Sequence, residues 1–152
     1  MTARKRLVIG LFEEVRRSVE KFETFLKETP LPTIVRERAR TDKTFRPLVI
    51  SPVTTDFYDV VMESTPEIKA SCQVALAEFY EQVRITIRVA EAFQSPAFLT
   101  LSDDGRAGTV DDLWIAMREA EKLGWQAMYE LELAYPREWF SGFKSLRSSR
   151  SS

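Results

Sequence analysis

The chain has 152 residues, of which 44% are hydrophobic and 30% are charged, and its net charge is −1. These values predict one globular domain that is long enough to bury a core. Histidine is absent and cysteine occurs once, which excludes catalytic triads, di-iron ligands and zinc sites that need those residues, and also an internal disulfide. The five glycines form neither a P-loop nor a GxGxxG sequence, so we expect no cofactor, no metal and no enzyme.

The charges are unevenly distributed along the chain. Residues 1–50 carry a net charge of +5, residues 51–135 a net charge of −9, and residues 136–152 a net charge of +3. The basic ends can pair with the acidic middle inside the fold, or they can present a basic face to a polyanion. We favour pairing within the chain because each basic excess is small and interleaved with acids.

The N-terminal stretch has some features of a secretion signal. Arg4-Lys5-Arg6 precede an apolar run from Leu7 to Phe12, but the run is short and Glu13-Glu14 follow it without a cleavage site. No run approaches the ~20 apolar residues of a membrane span. These features predict a cytoplasmic protein without an integral membrane segment.

The first predicted helix runs from Thr2 or Ala3 to Lys27. Its apolar residues recur every three or four positions and form a seam, a row along one side of the helix that packs against a neighbour. The seam residues are Val8, Phe12, Val15, Val19, Phe22 and Leu26. The opposite, polar face is expected to hold Glu13, Glu14, Arg16 and Arg17. Thr29-Pro30 ends this helix, because the residue before a proline is disfavoured in the α region.

Residues 30–53 are predicted to be an irregular, proline-rich and basic linker. A short helix is possible around Ile34–Arg40, and Leu48–Ile50 can lie extended against the core. Arg36, Arg38 and Arg40 are candidate partner-binding residues, because such a basic run could contact phosphates. The alternative is that they belong to a solvated linker.

Two further helices are predicted next. A short one spans Asp56–Glu63, and a long one spans Thr65–Gln94. The long segment has no internal helix breaker, so we expect it to be the central element of the fold. Within it, Val83–Val89 alternate apolar and polar residues as a strand does. We interpret them as helical and apolar on two faces, because strong helix formers flank them without a turn signal.

The chain from Ala97 to Gly108 is predicted to be a loop, with a turn at Asp103-Asp104-Gly105. The last long helix is predicted to begin at the capping-box-like Thr109–Asp112 and to end near Tyr135. Its seam contains small residues, so a neighbouring helix can approach closely. The seam residues are Leu113, Met117, Ala120, Gly124, Ala127, Leu131 and Ala134.

The predicted fold is therefore all-α. Three long amphipathic helices and one short helix would make an up-down, four-helix-like bundle, joined by the proline-rich basic linker. Residues 1–144 are expected to form a single domain. The Ser/Arg-rich tail at 145–152 is expected to be disordered.

The end of the predicted domain is both aromatic and basic. Trp139 and Phe143 fall one helical turn apart and Phe140 lies between them, with basic residues on either side. Trp139, Phe140 and Phe143 are therefore candidate partner-binding residues, for a groove on another protein or for an anionic membrane surface. The alternative is that the rings fold back over the end of the bundle.

Three other features have simple structural interpretations. Asp103, Asp104, Asp111 and Asp112 lack the spacing of a calcium loop and fit a turn followed by a helix start. The Gly105–Gly108 tetrapeptide matches the GxxG of KH nucleic-acid loops, but four residues alone carry little information. Cys72 lies on the seam of its helix, as a core residue would.

These patterns lead to three hypotheses about function. The first is a non-catalytic helical bundle that acts through protein–protein contacts as a homodimer, because regular seams and surplus aromatic residues suit interfaces. The second is binding of nucleic acid or an anionic membrane surface through the basic linker and the C-terminal segment. The third, which we rank last, is an enzyme that uses inward carboxylates such as Glu78 or Glu119.

Overall fold

A computed structural model of the chain describes residues 2–28, 31–46, 53–63 and 67–143. Within these ranges the chain is all-helical, without strands, which confirms the predicted fold class. The helices are α1 (Ala3–Glu28), α2 (Pro32–Thr41), α3 (Asp56–Glu63), α4 (Ala70–Ala92), α5 (Pro96–Leu99) and α6 (Asp103–Ala134), followed by a 3₁₀ turn at Arg137–Phe140. The expected disorder of residues 145–152, the extended Leu48–Ile50 and the proposed helix stop at Thr29-Pro30 fall outside the described residues.

The central element is α6, and not the segment at 65–94 as the sequence suggested. With 32 residues, α6 is about 48 Å long at ~1.5 Å per residue, and it packs extensively against α1, α2 and α4. The helix in the segment at 65–94 is shorter than predicted, because α4 begins only at Ala70 after the extended residue Lys69. The long helices α1 and α4 therefore share α6 as their common neighbour.

The predicted loop at Ala97–Gly108 is wrong, because two helices occupy most of it. Ser95 caps α5 by accepting a hydrogen bond from the backbone N–H of Ala97. Ser102 caps α6 in the same way, through the N–H of Gly105 at 3.0 Å. Asp103-Asp104 then lie in the first turn, where the positive end of the helix dipole favours acids. The predicted turn is therefore a helix start, six residues before Thr109.

The predicted seams of α1 and α6 are confirmed by burial. In α1, all the seam residues are buried except Leu26, which is half-buried. In α6, all are buried except Ala134, which is half-buried. The alternating segment Val83–Val89 is helical, and its burial follows the helical period: Val83 and Thr86 are buried, whereas Ile85 is exposed.

Gly124 marks the closest approach of three helices. A methyl group added there would overlap the Val19 side chain of α1 and come within 3.0 Å of the Phe79 ring of α4. Only hydrogen fits between them, so both neighbours can pack directly against the α6 backbone. The small residues of this seam thus allow the close approach of neighbouring helices that the sequence predicted.

Replacing Gly124 by alanine should lower the free energy of unfolding by about 1–3 kcal/mol, because overpacking forces Val19 and Phe79 to move. Gly108→Ala is the matched control in the same helix, since nothing lies within 4 Å of the added methyl group. It should raise the free energy by about 0.5–1 kcal/mol, the usual helix-interior difference between glycine and alanine. Urea unfolding followed by circular dichroism measures both, and equal effects of the two variants would contradict the packing.

Candidate interaction surface

The basic residues of α2 face the start of α6, where the acids lie. Arg36 Nη1 is 3.7 Å from Asp111 Oδ2, and Arg40 Nε is 3.6 Å from Asp104 Oδ1. All four side chains are largely exposed, so each pair is expected to contribute only about 0–1 kcal/mol. Two of the three arginines predicted to bind phosphate thus already have carboxylate neighbours within the chain.

Arg38, the third of these arginines, lies with its guanidinium carbon 4.5 Å from the centroid of the Phe45 ring. At the other end of the domain Arg4 pairs with Glu67 at 2.6 Å. The Arg4–Glu67 pair, like the pairs of Arg36 and Arg40, joins the basic first third of the chain to the acidic middle. Arg38 also interacts with an acid, because its charge, after the hydrogen bonds from Thr44, helps to lower the pKa of Asp42.

The aromatic residues after α6 pack onto the bundle. Phe140 is buried, with its ring centroid 4.7 Å from that of Phe12 in α1, and Phe143 lies 5.4 Å from the same ring. Trp139 stacks on Tyr135 at 5.5 Å and an interplanar angle of 19°. Of the two interpretations left open by the sequence, the folded-back one describes these positions. Trp139 and Phe143 remain only partly covered.

A buried guanidinium fixes α2 to the start of α6. Arg106 is 1% exposed, and its Nε and Nη2 donate hydrogen bonds to the carbonyls of Ala39 and Arg40 at 2.9 and 3.0 Å. These carbonyls belong to the last turn of α2, where they have no partner in their own helix. The remaining donors reach the Leu101 carbonyl at 2.8 Å and Asp103 Oδ1 at 2.6 Å. Arg106 therefore caps α2 from another helix, at the end where its dipole favours a cation.

The importance of Arg106 was missed because the sequence placed it in a loop. Once α6 is extended back to Asp103, Arg106 falls seven residues before Leu113 and four before Val110, on the same seam. A charged residue at a seam position is a recognisable signal, because such a residue is seldom buried unless its donors are satisfied.

A buried carboxylate caps the N-terminus of α3, whereas Arg106 caps the C-terminus of α2. Glu14 of α1 is nearly inaccessible, and its Oε2 accepts from the Phe57 N–H at 3.0 Å. Its Oε1 accepts from the Tyr58 N–H at 3.1 Å and from the Tyr80 hydroxyl at 2.6 Å. An anion at the N-terminus of a helix satisfies unpaired N–H groups and the positive end of the dipole. The prediction that Glu14 lies on the polar face of α1 is therefore wrong.

Two tyrosines complete the surroundings of this carboxylate. The rings of Tyr58 and Tyr80 stack at 4.0 Å with an interplanar angle of 10°. Burial, and then the hydrogen bond to Glu14, raise the pKa of Tyr80 well above its ordinary value. Burial also raises the pKa of Tyr58. Arg84, which pairs with Asp59 at 2.6 Å, borders the cluster. The Glu14 carboxylate and the Tyr80 hydroxyl are therefore hydrogen-bonded within the fold.

Helices α4 and α6 run antiparallel in a fixed register. Gln82 Nε2 and Thr86 Oγ1 both donate to the carbonyl of Ala116, at 3.1 and 3.3 Å. Nearer the start of α4, Cys72 Sγ lies 3.5 Å from the carbonyl of Glu130. One turn towards the C-terminus of α4 therefore corresponds to one turn towards the N-terminus of α6.

One side of this helix pair is covered by the rest of the chain. On that side Tyr80 of α4 bonds to Glu14 of α1, and Trp125 Nε1 of α6 donates to Glu23 of α1 at 3.1 Å. On the other side, Val74 and Ile85 are eleven residues apart on α4 and Ile115 and Leu123 are eight apart on α6, so each pair lies in one row; Glu78 and Glu119 occupy positions between them in the same rows. We call this surface the α4/α6 face; it consists of Val74, Ala75, Ile85, Val89, Ile115 and Leu123.

The α4/α6 face combines exposed aliphatic side chains with two carboxylates, those of Glu78 and Glu119. Val74, Ile85 and Ile115 are 59%, 38% and 65% exposed. Ala75, Val89 and Leu123 are half-buried between the two helices. Aliphatic groups at this exposure on neighbouring helices form the kind of patch that marks interaction sites.

No family model, no curated protein and no solved structure matches this chain. Its function must therefore be inferred from its own residues.

Across the described ranges, no three His, Cys, Asp or Glu side chains are grouped so that they could hold a metal ion. None of the helices in those ranges has the length and apolarity needed to traverse a membrane. Cys72 is buried, and burial raises the pKa of its thiol.

Replacing Arg106 by methionine should lower the free energy of unfolding by about 2–4 kcal/mol, because the Ala39 and Arg40 carbonyls lose their donors inside the protein. Arg36→Met, which removes an exposed pair on α2, is the control and should cost no more than about 1 kcal/mol. Hydrogen exchange locates the effect: amides of α2 should lose protection before those of α3. Equal loss in both helices would contradict capping by Arg106.

The raised pKa of Tyr80 predicts how stability depends on pH. Above pH ~10 the unfolded chain loses the Tyr80 proton while the folded chain keeps it, so the folded state binds more protons and stability falls with rising pH. Tyr80→Phe cannot ionise. Its cost at pH 7, about 1–2 kcal/mol for the hydrogen bond to Glu14, should therefore shrink between pH 9 and 11. Denaturant unfolding at each pH measures this, and a difference that stays constant would contradict it.

Proposed function

We propose that this protein is a non-catalytic, cytoplasmic helical bundle that acts through protein–protein contacts made by the α4/α6 face. The observation that carries the proposal is the exposure of Val74, Ile85 and Ile115 on a helix pair whose opposite side is packed against α1. Covering exposed aliphatic side chains is favourable by roughly 25 cal/mol per Å² removed from water. A partner packed along both helices of the pair would bury them.

The buried charges support a structural role over a catalytic one. Glu14 binds two backbone N–H groups and one hydroxyl, and Arg106 binds three carbonyls and one carboxylate. Both groups are satisfied by their neighbours in the fold, so neither is available to a substrate. Glu78 and Glu119, the carboxylates of the enzyme hypothesis, lie in the same helical rows as the aliphatic residues of the α4/α6 face, where Glu78 is exposed and Glu119 half-buried.

Binding of a polyanion is the alternative proposal, and it has less support. Arg36, Arg38 and Arg40 are exposed, which favours it. However, Asp111 and Asp104 lie beside two of these arginines and would repel phosphates. The aromatic segment that was to reinforce such binding is packed against Phe12.

A photo-crosslinking amino acid in place of Ile85 or Ile115 should form covalent adducts with another protein chain in living cells, because these side chains would lie inside the interface. Val60, which is 66% exposed on α3, is the control position and should give no comparable adduct. Mass spectrometry of the adducts reports both yield and partner. Equal yields at all three positions, or none at the α4/α6 face, would count against the proposal.

A further inference from the structure

We propose that the partner on the α4/α6 face is a second copy of this chain. The two copies would be related by a two-fold axis parallel to the helices, so that α4 of each copy packs antiparallel against α6 of the other. This inference rests on the proposed function, because it names the partner of the same surface. The result is a four-helix layer of two α4 and two α6, with α1 on the outside of each copy.

The register of the helix pair supports this symmetry. Gln82 and Thr86 reach the Ala116 carbonyl and Cys72 reaches that of Glu130, so Ile85 lies within about one turn of the level of Ile115. Rotation about a two-fold axis parallel to the helices leaves the position of each residue along the helix axis unchanged. It therefore brings Ile85 of one copy against Ile115 of the other, twice per dimer. The most exposed aliphatic residue of the face on α6 thus meets the central aliphatic residue of α4.

The charges at the rim are also self-complementary. Glu81 is exposed on α4, and Arg118 and Lys122 are exposed on α6 at about the same level. The two-fold axis places Glu81 of each copy near Lys122 of the other.

The contacts that Glu81 makes in the isolated chain do not prevent this pairing. Its carboxylate is 3.8 Å from Arg84, which is half-buried, and 3.6 Å from Arg88, which is exposed. Such long, solvated pairs are weak. Glu81 can therefore turn towards a cation of a second copy at little cost.

The face is large enough for a dimer. The 23 residues of α4 span about 35 Å, and two adjacent helices present a width of about 18 Å. Each copy can therefore contribute roughly 600 Å², which gives about 1,200 Å² in total and exceeds the ~1,000 Å² expected of a specific interface. A single helix of α4 length would cover only half of this surface.

Sedimentation equilibrium on the full chain tests the inference. The wild-type chain should be a dimer, and Ile85→Glu or Ile115→Glu should raise the dissociation constant at least about 30-fold, since each dimer then buries two unpaired carboxylates. Val60→Glu adds the same charge to α3, away from the face, and should leave the constant unchanged. Circular dichroism checks that the variants keep their helices.

Charge reversal tests the symmetry itself. Glu81→Lys and Lys122→Glu should each weaken the dimer, because like charges then meet at both symmetry-related positions. An equimolar mixture of the two variants should associate again, since each introduced charge faces its opposite twice in the mixed dimer. A mixture that stays as weakly associated as its components would overturn the two-fold arrangement.

The two proposals fail in different ways. If the wild-type chain is a monomer at ~1 mM, a concentration at which even very weak association is visible, the second copy is not the partner. Crosslinks from Ile85 to another protein would then still support the proposed function. If no crosslink forms at the face and the chain is a monomer, both are wrong.

Discussion

Two short helices of this protein, α2 and α3, depend on charges that the long helices supply. Helix α2 has ten residues, of which Val35 and Ala39 are buried, and a helix of this length is only marginally stable in water without tertiary support. Arg106 provides that support by binding the last carbonyls of α2 from within α6. Glu14 does the same for the first N–H groups of α3 from within α1. The last turn of α2 and the first turn of α3 are thereby capped by two buried groups of opposite charge.

The central position of α6 follows from the small residues along its seam. At Gly124 neither a methyl group nor any larger side chain separates α6 from Val19 and Phe79, so α1 and α4 both lie against its backbone. Close approach increases the dispersion contacts along the seam, which are individually small and collectively large. Because α1 and α2 also occupy α6, α4 meets α6 along one edge only. This arrangement leaves the α4/α6 face without a covering helix.

Local patterns could be predicted from the sequence, and contacts between distant residues could not. The seams of α1 and α6 and the bounds of α3 depend on spacing within one helix, and the structure has them as predicted. Asp103-Asp104-Gly105 fits a turn and a helix start equally well, and the Ser102 cap decides between them. Glu14 gave no local sign of burial, because the N–H groups that it binds come 43 and 44 residues later. Arg106 was hidden by the wrong helix start.

The strand-like alternation at Val83–Val89 is explained by the α4/α6 face. Side chains two residues apart lie on the same face of a strand, but in a helix they point to nearly opposite sides. Val83 lies in the core, whereas Ile85 and Val89 lie on the α4/α6 face. A helix that packs on one side alone needs no second apolar row, and its sequence shows the simple three-and-four spacing of α1. The ambiguity in the sequence and the open surface in the structure therefore have one cause: α4 has two apolar sides, and this chain covers one of them.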